Sequence, residues 1–256
     1  MSKGFKYRVL VGVLSGLYAQ VTMAGSQGNT LKTASSLSET LVISLSAGPS
    51  WAKAGSTQTL VLEPEIENTY AANKNTNSLT TGSLFIGLQR PFNAWVIGQF
   101  GFALGASGNA KLNGDIWENA DANFNDYFYS YKVNTGYIGI KGKLLAQLDS
   151  WSVQPYISGS AGIAVNRSYA YISTPKIPEN ALTPGFIEQR KSSLSYILGA
   201  GIQKQWSEHW SAGVGYEFAD WGQSTLGPTS EQTMNGGLSL SNLYTHSLMI
   251  NLTYMA

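Results

Sequence analysis

Trp210-Ser211-Ala212-Gly213-Val214-Gly215-Tyr216-Glu217-Phe218 alternates without a break. Successive side chains of a β-strand point to opposite faces. Trp210, Ala212, Val214, Tyr216 and Phe218 therefore share one face, and Ser211, Gly213, Gly215 and Glu217 share the other. The first face is apolar and bulky, and the second is small except for one carboxylate. Such a strand has one apolar face and one small or polar face.

Seven further segments from Glu39 onward repeat the pattern. Leu41, Ile43, Leu45 and Ala47 oppose Val42, Ser44, Ser46 and Gly48; Leu84, Ile86 and Leu88 oppose Ser83, Phe85, Gly87 and Gln89. Val96, Phe100, Phe102 and Leu104 alternate with Ile97, Gln99, Gly101 and Ala103; Ile138, Ile140 and Leu144 oppose Gly139, Lys141 and Lys143. Val153, Pro155, Ile157 and Ile163 oppose Gln154, Ser158, Ser160 and Gly162; Leu194, Tyr196, Leu198 and Ile202 oppose Ser195, Gly199, Gly201 and Gln203. The last segment sets Tyr244, Leu248, Ile250, Leu252 and Tyr254 against Ser247, Asn251 and Thr253.

A soluble sandwich also alternates, so the connections decide. Those after strands two, four and six are short: Arg90 to Ala94, Gln147 to Ser150, and Ser207 to His209. Those after strands one, three, five and seven run to about 20–28 residues, far beyond ordinary loop lengths in a compact soluble domain. Short turns at one end and long connections at the other are the pattern of an outer-membrane barrel. The aromatics mark two levels. Trp95, Trp151, Trp206 and Trp210, with Phe92 and Tyr254, stand by the short turns. Trp51, Tyr129, Tyr131, Tyr169, Trp221 and Tyr244 stand at the long-connection ends. Two aromatic belts at the headgroup layers are expected from this placement.

Composition agrees. Charged residues are only 12%, glycine reaches 28 residues, and no stretch is long and apolar enough for a transmembrane helix. Lys3, Lys6 and Arg8, the apolar run Val9 to Val21, and Thr22-Met23-Ala24 read as a signal peptide over residues 1–24. Removing it takes three of the 16 cations and leaves 13 against 15 acids, a mature charge of −2. That balance gives no support to nucleic-acid binding. With no cysteine in the chain, disulfides, a lipoprotein anchor and thiolate metal sites are excluded. Residues 25–39 are polar and read as a periplasmic lead-in, and 40–256 as the barrel with four long external loops.

Gly199-Ala200-Gly201-Ile202 through Trp206, then Trp210 to Gly222, resembles the last hairpin of the opacity-type surface proteins and of the transmembrane domain of outer-membrane protein A. The Gly-x-Gly strand, the short turn, and the Trp-Ser and Tyr-Glu-Phe steps carry the likeness, and Tyr137-Ile138-Gly139-Ile140-Lys141 shares it. The likeness is specific over these segments and architectural elsewhere. It implies a small surface barrel of the bacterial outer membrane with periplasmic termini. Two features depart from the pattern: Tyr254 is followed by Met255 and Ala256, and no peptidoglycan-binding segment follows.

The interior charges Lys141 and Glu217 are expected to pair, because an unpaired charge inside a lipid-shielded lumen is costly. Eight strands enclose a space that side chains can fill. A pair there plugs the interior or, alternatively, gates a narrow water path. His209-Trp210-Ser211 with Glu217 suggests a hydrolase triad, but Glu217 lies some 25 Å up the strand from the turn at ordinary strand rise, beyond triad reach. His246 and Ser247 point to opposite faces. Glu63, Glu65 and Glu67, and Asp115, Glu118, Asp121 and Asp126, are carboxylate-rich but lack the spacing of a dedicated calcium loop. No cofactor and no enzyme activity are expected.

Function is therefore expected in the loops. Loop one, about Lys53 to Thr80, is rich in Asn, Thr and Ser; loop three, about Ser168 to Lys191, holds Pro175, Pro178 and Pro184. Trp117, Phe124 and Phe186 are either exposed contact anchors or a core for the loops themselves. The reading is an all-β, eight-stranded antiparallel up-and-down transmembrane β-barrel, monomeric, in the bacterial outer membrane. It has a structural role and loop-mediated binding or adhesion, with lipopolysaccharide and other outer-membrane lipids as partners and a host or surface ligand at the loops. The alternative is a small porin-like pore.

Overall fold

The structure is a computed structural model that describes residues 39–148, 152–178, 185–229 and 236–256. The signal peptide and lead-in expected before residue 39, and Trp151 and Pro184, lie outside the described residues.

The strands are β1 (Thr40–Lys53), β2 (Gln58–Glu63), β3 (Ile66–Asn73), β4 (Thr76–Pro91), β5 (Val96–Glu118), β6 (Asn125–Ala146), β7 (Gln154–Pro175), β8 (Gln189–Gln205), β9 (Trp210–Asp220), β10 (Ser224–Thr225), β11 (Ser239–Leu240) and β12 (Tyr244–Met255). No helix occurs among the described residues. Eight strands form a closed antiparallel ring in the order β1, β4, β5, β6, β7, β8, β9, β12. The ring shuts because β1 pairs on one side with β4 (Leu45↔Leu84) and on the other with β12 (Leu45↔Leu252). Closure leaves no strand edge in the ring to satisfy.

The seam between β1 and β12 is interrupted at Gly48 and Pro49, between the pairs Ala47↔Ile250 and Ser50↔Ser247. Pro49 has no N–H to give the ladder. A Cβ on Gly48 would overlap the carbonyl of Leu248, so the backbones meet there only because residue 48 is glycine.

Polarity runs inside out. Leu45, Ile86, Phe102, Ile140, Leu198 and Ile250 are exposed on the outer wall, while Ser44, Ser46, Gln99, Gln203, Asn251 and Thr253 are buried inside. Both described ends lie at the short-turn end: Met255 N–H donates to the His209 carbonyl and Ala256 N–H to that of Leu41.

The other end differs from the expected set of loops. β5, β6 and β7 have 23, 22 and 22 residues, about a dozen more than a bilayer crossing needs. The region read as loop one is a hairpin, β2–β3, joined by Pro64-Glu65 with Glu65 at φ 71. Beyond the end of β4, β3 takes its place beside β5, pairing Asn73↔Asn113 through Asn68↔Glu118. The ring therefore continues outward as a β-sheet crown of β2, β3 and the ends of β5, β6 and β7. The reason is that alternation persists: Tyr127, Tyr129, Tyr131 and Val133 are buried, while Phe128 and Lys132 are exposed. The long connections carry a buried face of their own.

Candidate functional site

Two regions hold the chemistry: the lumen and the crown. At the lumen floor, Gln99 donates to Gln89 (2.7 Å) and Gln203 to Gln154 (3.2 Å), beside the apolar group Val42, Phe85 and Met255. Above them, the structure brings Lys141 and Glu217 together across the barrel, Nζ to Oε1 3.0 Å. Lys143, two residues on and on the same face, donates to Gln203 Oε1 at 2.5 Å and lies 4.0 Å over the Tyr156 ring. The Tyr156 hydroxyl accepts from Asn251 at 3.1 Å. Ser44 and Thr253 bond at 2.8 Å, and Ser50 bonds Thr81 and Ser247, each at 2.6 Å.

Glycines make room for this filling. A Cβ on Gly215 would overlap the Tyr156 hydroxyl, and one on Gly139 the Tyr137 hydroxyl, so these rings lie flat against bare wall. The space left among Ser44, Lys141, Lys143, Tyr156, Glu217 and Asn251 is ≈20 Å³, room for about one water. At this level the two walls are bridged by side chains.

Above this level the interior turns apolar. Tyr137 packs edge-on against Trp221, ring centroids 6.0 Å apart. Trp221 is 1% exposed and donates through Nε1 to Thr245 Oγ1 at 2.9 Å. Its expected place in the outer aromatic belt is therefore corrected, and the same holds for Tyr129 and Tyr131. They face inward because the alternation that points Glu217 and Lys141 inward continues through them. The fourth connection follows Trp221 inward: Leu226, Leu238 and Leu243 are fully buried, and Asn166 Nδ2 donates to the carbonyls of Trp221 and Gln223.

In the crown, Tyr70 meets Tyr129 at 5.6 Å and Phe186 at 5.5 Å, and Tyr171 meets Phe186 edge-on at 4.9 Å. Burial pushes the Tyr70 hydroxyl up to about 12 and raises those of Tyr129, Tyr131 and Tyr171. All stay neutral, as a core requires. Phe186 thus belongs to the crown core, whereas Phe124 is exposed at the hairpin tip.

The remaining belt residues are on the outside. Trp95, Trp206 and Trp210 are exposed near the short turns, with Tyr254 against Trp210 at 5.1 Å; Trp51 and Tyr244 are exposed toward the other end. His209 Nδ1 contacts the Met255 carbonyl at 2.9 Å, and Glu217 is engaged by Lys141, so they do not form a triad. Asp115 pairs with Lys176 and Asp121 caps its own turn through Asn123. Among the described residues no three acidic or histidine side chains converge as metal ligands.

No protein-family model and no curated protein match the chain. Solved structures do. It is similar to Neisserial surface protein A (11% identity, 84% of this chain and 96% of that one, TM-score 0.40). It is similar also to the outer membrane protein OprG from Pseudomonas aeruginosa (11%, 84% and 95%, 0.44). A third is the outer membrane protease OmpT from Escherichia coli (8%, 85% and 97%, 0.44).

Proposed function

We propose that this protein is a non-conducting barrel of the bacterial outer membrane that mounts a rigid β-sheet crown for binding outside the cell. The carrying observation is the inversion of polarity: a closed ring with an apolar outer wall and an interior of polar side chains, bridged across by Lys141 and Glu217. Exposed apolar surface all round a barrel is not tolerated in water and fits a bilayer. The short turns and both described ends then face the periplasm, and the crown faces outward. The bridge at Lys141–Glu217, with the aromatic core above it, opposes the pore reading.

Binding is assigned to the crown because its strands are pre-ordered, which lowers the entropic cost of recognition. Phe128 and Ile172 are exposed on the outer face of β6 and β7, and Phe124 at the β5–β6 tip. Apolar side chains held on polar strands beyond the apolar band are contact anchors for an external partner. The role is structural and adhesive, without enzyme activity or cofactor.

Conductance of the refolded protein in planar bilayers tests the central element. Folded protein, recognised by a heat-dependent gel shift, is expected to be silent. Stable single channels altered by Lys141→Ala would replace this reading with a pore.

A further inference from the structure

Four cations stand together on the outer wall at the crown end of β5 to β8. Lys111 and Lys132 are direct cross-strand partners, and so are Arg167 and Arg190. Lys132 pairs next with Tyr169, and Arg167 with Asn134, which knits the four into two adjacent rows. Cross-strand neighbours lie about 5 Å apart and successive same-face rows about 7 Å. The four charges therefore spread over three strand spacings, about 15 Å, and one row, about 7 Å. Like charges directly opposite one another destabilise a sheet.

Their own counter-charge is short. Glu188 holds Arg167 through two contacts of 2.6 and 2.7 Å, leaving four cations against one carboxylate. Lys111, Lys132 and Arg190 form no ion pair among the described residues. Hydrogen bonds from Asn134 and Tyr169 converge on Asn109 Oδ1 (3.3 and 2.8 Å), tying the polar side chains into one surface.

Height gives the patch its meaning. Two rows below Asn134 and Arg167, the same strands present Leu104, Ile138, Ile163 and Leu194 side by side, all exposed and apolar. The patch thus begins where the apolar wall ends. The opposite wall at this end carries Trp51, Tyr216, Phe218, Tyr244 and His246, with Lys53 as its one cation among the described residues.

We propose that Lys111, Lys132, Arg167 and Arg190 bind the anionic phosphate headgroup of an outer-leaflet lipid whose chains lie along the apolar strands beneath. Guanidinium and ammonium groups match phosphate oxygens with charge-assisted hydrogen bonds. The continuous apolar wall below selects a lipid over a free anion. This site rests on the membrane placement proposed above.

The test uses full-length folded protein in neutral detergent and native mass spectrometry with lipid A and with the same lipid after removal of its phosphates. Lipid A is expected to bind about tenfold more tightly than the dephosphorylated form. Lys132→Gln with Arg190→Gln abolishes that preference, and Lys53→Gln with Lys204→Gln keeps it. Equal binding of the two lipids, or a preference that survives Lys132→Gln with Arg190→Gln, overturns the site. Displacement of lipid A by millimolar inorganic phosphate overturns it in favour of a free-anion site. Both exchanged pairs are exposed, and the gel shift verifies folding of each variant. Insertion into phosphatidylcholine vesicles reads the membrane placement separately: a protein that inserts yet does not discriminate refutes only the headgroup site.

Discussion

Glu217→Ala removes the carboxylate that pairs with the interior Lys141 ammonium. In the native barrel Lys141 lies 3.0 Å from Glu217, and Lys143 faces the same lumen with a glutamine oxygen and a tyrosine ring as its partners. At 3.0 Å and an effective dielectric near 20, the Coulomb attraction is about 5 kcal/mol before desolvation. The side chains of the pair are 15% and 13% exposed, so solvent screens little of this. Breaking a buried pair from one side costs about 3–5 kcal/mol, because the orphaned charge remains. Glu217→Ala is therefore expected to lose about that much, read from reversible urea unfolding in lipid vesicles by tryptophan fluorescence. Lys141→Met combined with Glu217→Leu should recover most of it, since replacing both charges by apolar groups is often neutral. A loss below about 1 kcal/mol for Glu217→Ala would refute the claim that this level is shielded from solvent and filled.

Two further outcomes follow from close geometry. Gly215→Ala forces a methyl group into the Tyr156 hydroxyl and is expected to cost about 1–3 kcal/mol; Tyr156→Phe should relieve part of that cost in the double variant, and simple additivity would refute the contact. At the β5–β6 tip, burial, the charge of Asp126 and a hydrogen bond to it raise the Glu118 carboxyl above 4.5. A raised folded value means the stabilising contribution is fully present below the unfolded value and lost as pH rises through the folded one. Amide exchange over 118–126, corrected for intrinsic rates, should be slower at pH 4 than at pH 7, and Asp126→Asn should flatten the difference.

The barrel was legible because its signal is repeated eight times and each strand reports the same two environments. Lys141 and Glu217 were legible as interior residues by parity alone, and their pairing by the cost of an unpaired interior charge. Trp221 was misplaced although the same parity bears on it: it stands four residues from Glu217, on the same face. Tyr131 and Tyr129 likewise stand ten and twelve residues from Lys141. Aromatics at a band edge carry the same composition whether they face lipid or core, and composition outweighed phase. The phase of β5 was harder to read. Gln99, Ala103 and Ser107 are buried with odd numbers, then Ala110, Leu112 and Ile116 with even ones, because the ladder shifts between Ser107 and Ala110. A bulge adds one residue and exchanges the faces, and Gly108-Asn109 is its one local trace.

That bulge has a structural consequence beyond its strand. Without it, Leu112 and Ile116 would turn outward and Lys111 inward, toward Tyr131 and Val133. A second irregularity, Ala170 at φ 53 beside the shift between Ser130 and Lys132, does the same for β7 by keeping Tyr171 on the core side. Both lie just above the apolar wall. The chain thus changes phase where its outer face changes from apolar side chains to cations. Cations go out and aromatics go in, and the crown acquires a core that needs no membrane to bury it. A barrel that only had to cross the bilayer would end its strands at this level. Extending them, rephased, is what makes this end of the molecule an ordered β-sheet crown rather than a set of loops.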